Sequence, residues 1–125
     1  MSNGSPLPSL QYIKNQTPEM CMEAVTKDYF CLSYVKEQSK DICLAAFKQD
    51  PRALMYVINQ TFEICSAMVK QSRWALQYVR NQTPEICMDA VESNGTALEF
   101  VKEQTPEICM AAVKNDSRAK MYIKK

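Results

Sequence analysis

The sequence predicts an all-α fold, an α-solenoid of about eleven short helices built from 22-residue, two-helix repeats. Three observations predict it. The segment that starts at Leu10 recurs at Leu32, Leu54, Leu76 and Leu98, and in altered form at Lys120, always 22 residues apart without insertion or deletion. Each copy carries two separate helix-start signals. Only 2 of the 125 residues are glycine, which leaves few positions for wide turns.

In chain order, residues 1–9 read as a flexible lead, Ser2 to Ser5 followed by Pro6, Leu7 and Pro8, with a first helix beginning near Pro8. A single solenoid domain then covers 10–125, as repeats 10–31, 32–53, 54–75, 76–97 and 98–119 with a half-repeat over 120–125. One helix start per copy falls at Thr17, Ser39, Thr61, Thr83 and Thr105, whose side-chain oxygens can accept an unpaired N–H of the first turn. Pro18, Pro84 and Pro106 follow where a missing N–H costs nothing. Glu19, Asp41, Glu63, Glu85 and Glu107 set negative charge against the positive end of the helix dipole. These helices should run about ten residues. The other start falls at Asp28, Asp50, Ser72, Asn94 and Asp116, again capping residues, and opens a helix that ends near the Gln of each repeat.

The apolar spacing agrees with this division. Ile86, Cys87, Ala90 and Val91 form one stripe, and Ala97, Leu98 and Val101 with Phe100 form the next. Helices of ~10 residues are marginal alone, so stability should come from stacking each pair on its neighbours. The end, AKMYIKK, with Lys120 in place of Leu, reads as a polar cap formed by a half-repeat; alternatively the ends stack on another copy of the chain.

Composition limits function. The 15 Lys and Arg nearly balance the 14 Asp and Glu, so no global field draws in nucleic acid or an anionic membrane. With no His, the commonest general base and metal ligand is missing, and neither an enzyme, a metal, a cofactor nor a small-molecule substrate is expected. No apolar run is longer than that from Ala53 to Ile58, far short of the ~20 residues that cross a bilayer. The start, MSNGSPLPS, has no basic-then-apolar pattern of a secretory signal, so an intracellular, soluble protein is expected.

Several positions recur in every copy. Cys21, Cys43, Cys65, Cys87 and Cys109 share one position, about a helix-packing distance apart, too far for disulfides and not convergent enough for a metal. They read as small, buried, reduced thiols, and Cys31, at an alanine position, as another small core residue. Gln16, Gln38, Gln60, Gln82 and Gln104 fill the turns, where an amide can bond to free carbonyls at a helix end or to the next repeat's turn. Lys14, Lys36, Arg80, Lys102 and Lys124 form a basic stripe. It reads as compensation for the helix dipole in the last turn, with phosphate contact as the alternative. No exposed aromatic series is expected to support base stacking.

The middle copy departs from the others. It has Ile58 where the rest carry Lys or Arg, Phe62 where three copies have Pro, Met68 where the others have Ala, and Trp74 where two have Arg. A contiguous apolar patch on a soluble protein marks a contact surface, so Ile58, Phe62, Met68 and Trp74 are the expected protein interface.

NQTPEICMDAV from Asn81 to Val91 and EQTPEICMAAVKND from Glu103 to Asp116, each after a Leu-x-aromatic-Val-Lys/Arg segment, closely resemble the repeats of domain of unknown function 4116. The resemblance covers about residues 10 to 125, and Lys40 and Phe62 depart from it where the pattern has Pro. It implies an origin in large DNA viruses of amoebae, or in some protists and bacteria, with repeat arrays that carry no assigned activity and no catalytic residues to transfer. The expected function is therefore a non-enzymatic interaction or virion structural protein, in the host cytoplasm or the particle, with a protein partner that includes a second copy. A nucleic-acid-associated role through the basic stripe stands second, and a thiol activity at Cys31 third.

Overall fold

The computed structural model describes residues 10–124; the expected lead over 1–9 and Lys125 lie outside them. Among the described residues the chain is helical, with no strand. It divides into two compact units after Val57. The first contains η1 (Leu10–Tyr12), α1 (Pro18–Lys27), η2 (Tyr29–Tyr34), α2 (Lys40–Gln49) and η3 (Pro51–Tyr56), where η denotes a 3-10 helix. The second contains α3 (Phe62–Gln71), η4 (Ala75–Tyr78), α4 (Pro84–Ser93), η5 (Gly95–Phe100), α5 (Pro106–Asn115) and η6 (Ser117–Tyr122).

The α-helices begin where the sequence places them. Thr17, Ser39, Thr61, Thr83 and Thr105 each accept, through the side-chain oxygen, the backbone N–H of the third helical residue. The other half of each repeat differs from expectation. It forms a short 3-10 segment that stops at the aromatic residue, well before the Gln. The following Val is extended, at φ −79° for Val35 and −77° for Val101. With ~2.0 Å of rise per residue against ~1.5 Å in an α-helix, a 3-10 segment carries the chain back over the repeat with fewer residues.

Its starts are also less uniform than predicted. Asp28, Asp50 and Asp116 accept the N–H two residues on, and Ser72 accepts that of Trp74. Asn94 makes no side-chain cap bond. There the next repeat intervenes, since Asn115 accepts the Gly95 N–H at 2.6 Å and donates to the Glu92 carbonyl.

Within each unit the α-helices pack side by side, α1 on α2 and α3 on α4 on α5, and the 3-10 segments lie along their flank. The inward stripe is the predicted one. Leu32, Leu54, Leu76 and Leu98 are fully buried, as are Val25, Val69 and Val91, and burial of each such side chain contributes about 1.5–3 kcal/mol. Lys120 occupies that leucine position in η6 and is exposed. The predicted polar cap is mixed, however, because Met121 and Ile123 are exposed beside Lys120 and Lys124.

Candidate interaction surface

The recurring glutamines hold the turns together and thereby shape the surface. In the second unit, Gln82 Nε2 donates to the Leu76 carbonyl of its own repeat at 3.2 Å and to the Phe100 carbonyl of the next at 2.9 Å. Its Oε1 accepts the Lys102 N–H at 3.0 Å. Gln104 repeats this with Leu98, Tyr122 and Lys124, and Gln16 in the first unit with Leu10, Tyr34 and Lys36. The amide thus does both things its chemistry allows, capping carbonyls at a 3-10 end and tying that end to the next turn.

A groove opens beside these turns in each unit, with contrasting chemistry. In the first unit it has a volume of about 690 Å³ and is edged by Lys14, Lys36, Thr17 and Ser39. In the second it measures about 450 Å³ and is lined by Ile58, Phe62, Val79 and Ile86, with Arg80 and Glu85 as charged edges. Ile58 is 70% exposed and Phe62 53%. Both line the same groove, on either side of one turn.

The rest of that expected interface falls apart. Met68 is fully buried at the position of Ala46 and Ala90, so it cannot belong to a surface. Ser66, which stands where the other copies have Met or Leu, is buried on the same helix, and its Oγ donates to Asp89 Oδ2 at 2.7 Å. Trp74 is exposed but belongs elsewhere, because its ring packs on Phe100 and under the Arg73 guanidinium and does not line the groove.

The basic stripe is exposed, and its charges lie past the ends of the 3-10 segments rather than in their last turns. Local carbonyls take several of these side chains. Lys36 Nζ donates to the Lys14 carbonyl, Arg80 Nη2 to the Ile58 carbonyl and Lys124 Nζ to the Val101 carbonyl, at 3.4, 2.9 and 3.1 Å. They satisfy orphan acceptors of the preceding repeat, a use that competes with phosphate.

Four of the five ladder thiols are buried as expected, and Cys109 is not. All six are free; Cys21, Cys43, Cys65 and Cys87 are buried, and Cys31 and Cys109 are half-buried. Burial pushes the Cys43 thiol up to about 11 and raises those of Cys21, Cys65 and Cys87. Cys31 is raised too, by burial first and then by the negative charge of Asp28, the reverse of what an activated thiolate needs. Among the described residues no group of three or more Cys, Asp and Glu is placed to hold a metal ion, and no helix is long and apolar enough to cross a membrane.

Residues 17–61 match the family model described as Domain of unknown function (DUF4116). Over that segment the chain is similar to the DUF4116 family. The match extends from the cap of α1 to the cap of α3 and so takes in two complete turns of the pattern that the later repeats display most clearly. No curated protein and no solved structure matches the chain.

The 3-10 segments of each unit also carry a recurring aromatic residue. Tyr34, Tyr56, Tyr78, Phe100 and Tyr122 recur every 22 residues and are half-buried, with Phe30 and Trp74 exposed beside them. The aromatic follows the buried leucine by two residues, which in a 3-10 segment turns it off the inward face. The 22-residue recurrence was the signal; treating the ring as part of the apolar stripe hid it.

Proposed function

We propose that the protein is a non-enzymatic helical-repeat interaction module whose 22-residue repeats stack as a solenoid. It engages a protein, in the first place a second copy of itself, through the groove beside Ile58 and Phe62. One observation carries this reading. Two large apolar side chains stand exposed over an apolar floor of Val79 and Ile86, in the one repeat whose sequence departs from the others there. Exposed patches of this kind mark contact surfaces, and aromatic anchors dominate such contacts. The glutamine bridges support stacking of repeats within each unit, since each ties one turn to the next. An assembly role of this type suits a structural component of a large DNA virus.

The test compares solution mass by light scattering after size exclusion for the native chain and for Ile58→Lys with Phe62→Pro, residues that other copies carry at those positions. The expected result is a discrete native oligomer and a folded monomeric variant. A native protein that is monomeric across the accessible concentration range refutes self-association through this groove.

A further inference from the structure

The 3-10 segments of the second unit carry a site that the groove does not use. Arg73 lies in the turn between α3 and η4, with its guanidinium carbon 4.2 Å from the centre of the Trp74 ring, 5.3 Å from that of Phe100 and 5.9 Å from that of Tyr122. Trp74 and Phe100 meet at 5.8 Å and 52°, forming an aromatic corner. In the plane of the guanidinium the acceptors are equally specific. Nε donates to Thr96 Oγ1 at 2.9 Å, and Nη2 donates to the Thr96 carbonyl at 3.0 Å and to Glu99 Oε1 at 2.7 Å. Three rings, from repeats 54–75 and 98–119 and from the final half-repeat, and one carboxylate therefore converge on a single planar cation.

The repeat itself needs neither charge. The position of Arg73 is Tyr29, Pro51, Gly95 and Ser117 in other copies, and that of Glu99 is Ser33, Met55, Gln77 and Met121. At the equivalent place in the first unit, Phe30 and Tyr56 form a corner at 5.1 Å, but Tyr29 replaces the arginine and Met55 the glutamate. In the first unit Arg52 stacks over Tyr29 at 5.5 Å and pairs with Asp50, two residues away in its own turn, whereas Glu99 reaches Arg73 from 26 residues along the chain. The interactions that keep Arg73 in place, stacking on rings and a partly exposed ion pair, are individually weak and exchangeable. A competing guanidinium would find the same faces and the same acceptors, whereas an ammonium, a strongly hydrated point charge, matches neither the ring faces nor the in-plane oxygens.

We propose that Trp74, Phe100, Tyr122, Thr96 and Glu99 form a recognition site for the guanidinium of a partner's arginine, held closed in the free protein by Arg73 as an intramolecular ligand. Trp74 is the only tryptophan in the chain, so its fluorescence reports on the site directly. The experiment titrates N-acetylarginine amide into the native protein and into Arg73→Ser, the residue of the last copy, with N-acetyllysine amide as control and far-UV circular dichroism to verify folding. The expected result is a saturable fluorescence change in Arg73→Ser, at least tenfold weaker in the native protein, at least fivefold weaker with the lysine analogue, and lost in Arg73→Ser with Glu99→Gln. Should Arg73→Ser not fold, Arg73→Gln, which keeps part of the side-chain stem, carries the same expectation. A folded variant with no saturable response, or one that responds equally to both analogues or equally without Glu99, overturns the proposal.

Discussion

Replacing Gln82 with Ala isolates the interaction that locks one repeat to the next. The substitution removes bonds at 3.2, 2.9 and 3.0 Å to the Leu76 and Phe100 carbonyls and the Lys102 N–H, of which the Leu76 carbonyl keeps the Val79 N–H, and removes the weak acceptor 3.6 Å from the Cys87 thiol. At roughly 1 kcal/mol per lost hydrogen bond the three backbone bonds sum to about 3 kcal/mol, and water reaching a half-buried turn lowers this to about 1.5–3 kcal/mol. For a domain of this size that corresponds to a fall of roughly 5–15 °C in Tm. Urea titration followed by far-UV circular dichroism measures the change. Gln82→Glu sharpens it, because a carboxylate faces two carbonyls and only its protonated form can donate to one. Its folded pKa is then raised, so that variant is relatively most stable below the unfolded carboxyl value of ~4.3 and loses stability as pH rises through the folded value. A loss under about 0.5 kcal/mol for Gln82→Ala at an unchanged m-value would refute the view that the amides hold the turns.

Other expectations follow from particular contacts. Met68→Ala should cost about 2–4 kcal/mol in urea unfolding, as a cavity in the core and not a surface change, even though alanine is the residue of the other copies. Gly95→Ala should cost about 1–3 kcal/mol, because a Cβ there collides with the Ala112 backbone carbonyl oxygen, whereas Thr96→Ala at the next residue should be milder and its loss visible mainly as altered Trp74 fluorescence. Cys43 is raised from 9.0 to about 11 in the folded chain, so the unfolded chain loses its proton first and stability should decline as pH climbs from about 9 to about 11. Thermal melts across that range, beside a Cys43→Ala control, check the sign. At pH 8 a thiol-reactive dye should label half-buried Cys31 and Cys109 before Cys43, resolved by peptide mapping.

The repeat period, the caps of the α-helices and the inward Leu and Val positions were legible because each is a local matter. A threonine finds its N–H three residues away, and a leucine at a fixed period faces one way whatever lies beyond it. The Gln turns were legible for the same reason, since an amide beside free carbonyls has few other uses. Less legible was the 3-10 half of each repeat. A six-residue stretch with a capping residue reads as α or 3-10 alike, and the choice falls to how far the chain must travel before the next α-helix starts.

The candidate surfaces divide along the same line. Ile58 and Phe62 were found from sequence because they flank one short turn, so proximity along the chain implied proximity in space. Met68 departs from the surface expectation because burial at that position depends on the helix packed against α3. Arg73 was passed over entirely, because the groups that define it, Thr96, Glu99, Phe100 and Tyr122, lie between 23 and 49 residues further along the chain. Sequence by itself determined what repeats and where each helix starts, since those signals act within a turn or two of backbone. Only the tertiary structure decided which side chains meet, since packing between repeats sets each distance and carries an arginine onto rings that its own repeat does not contain.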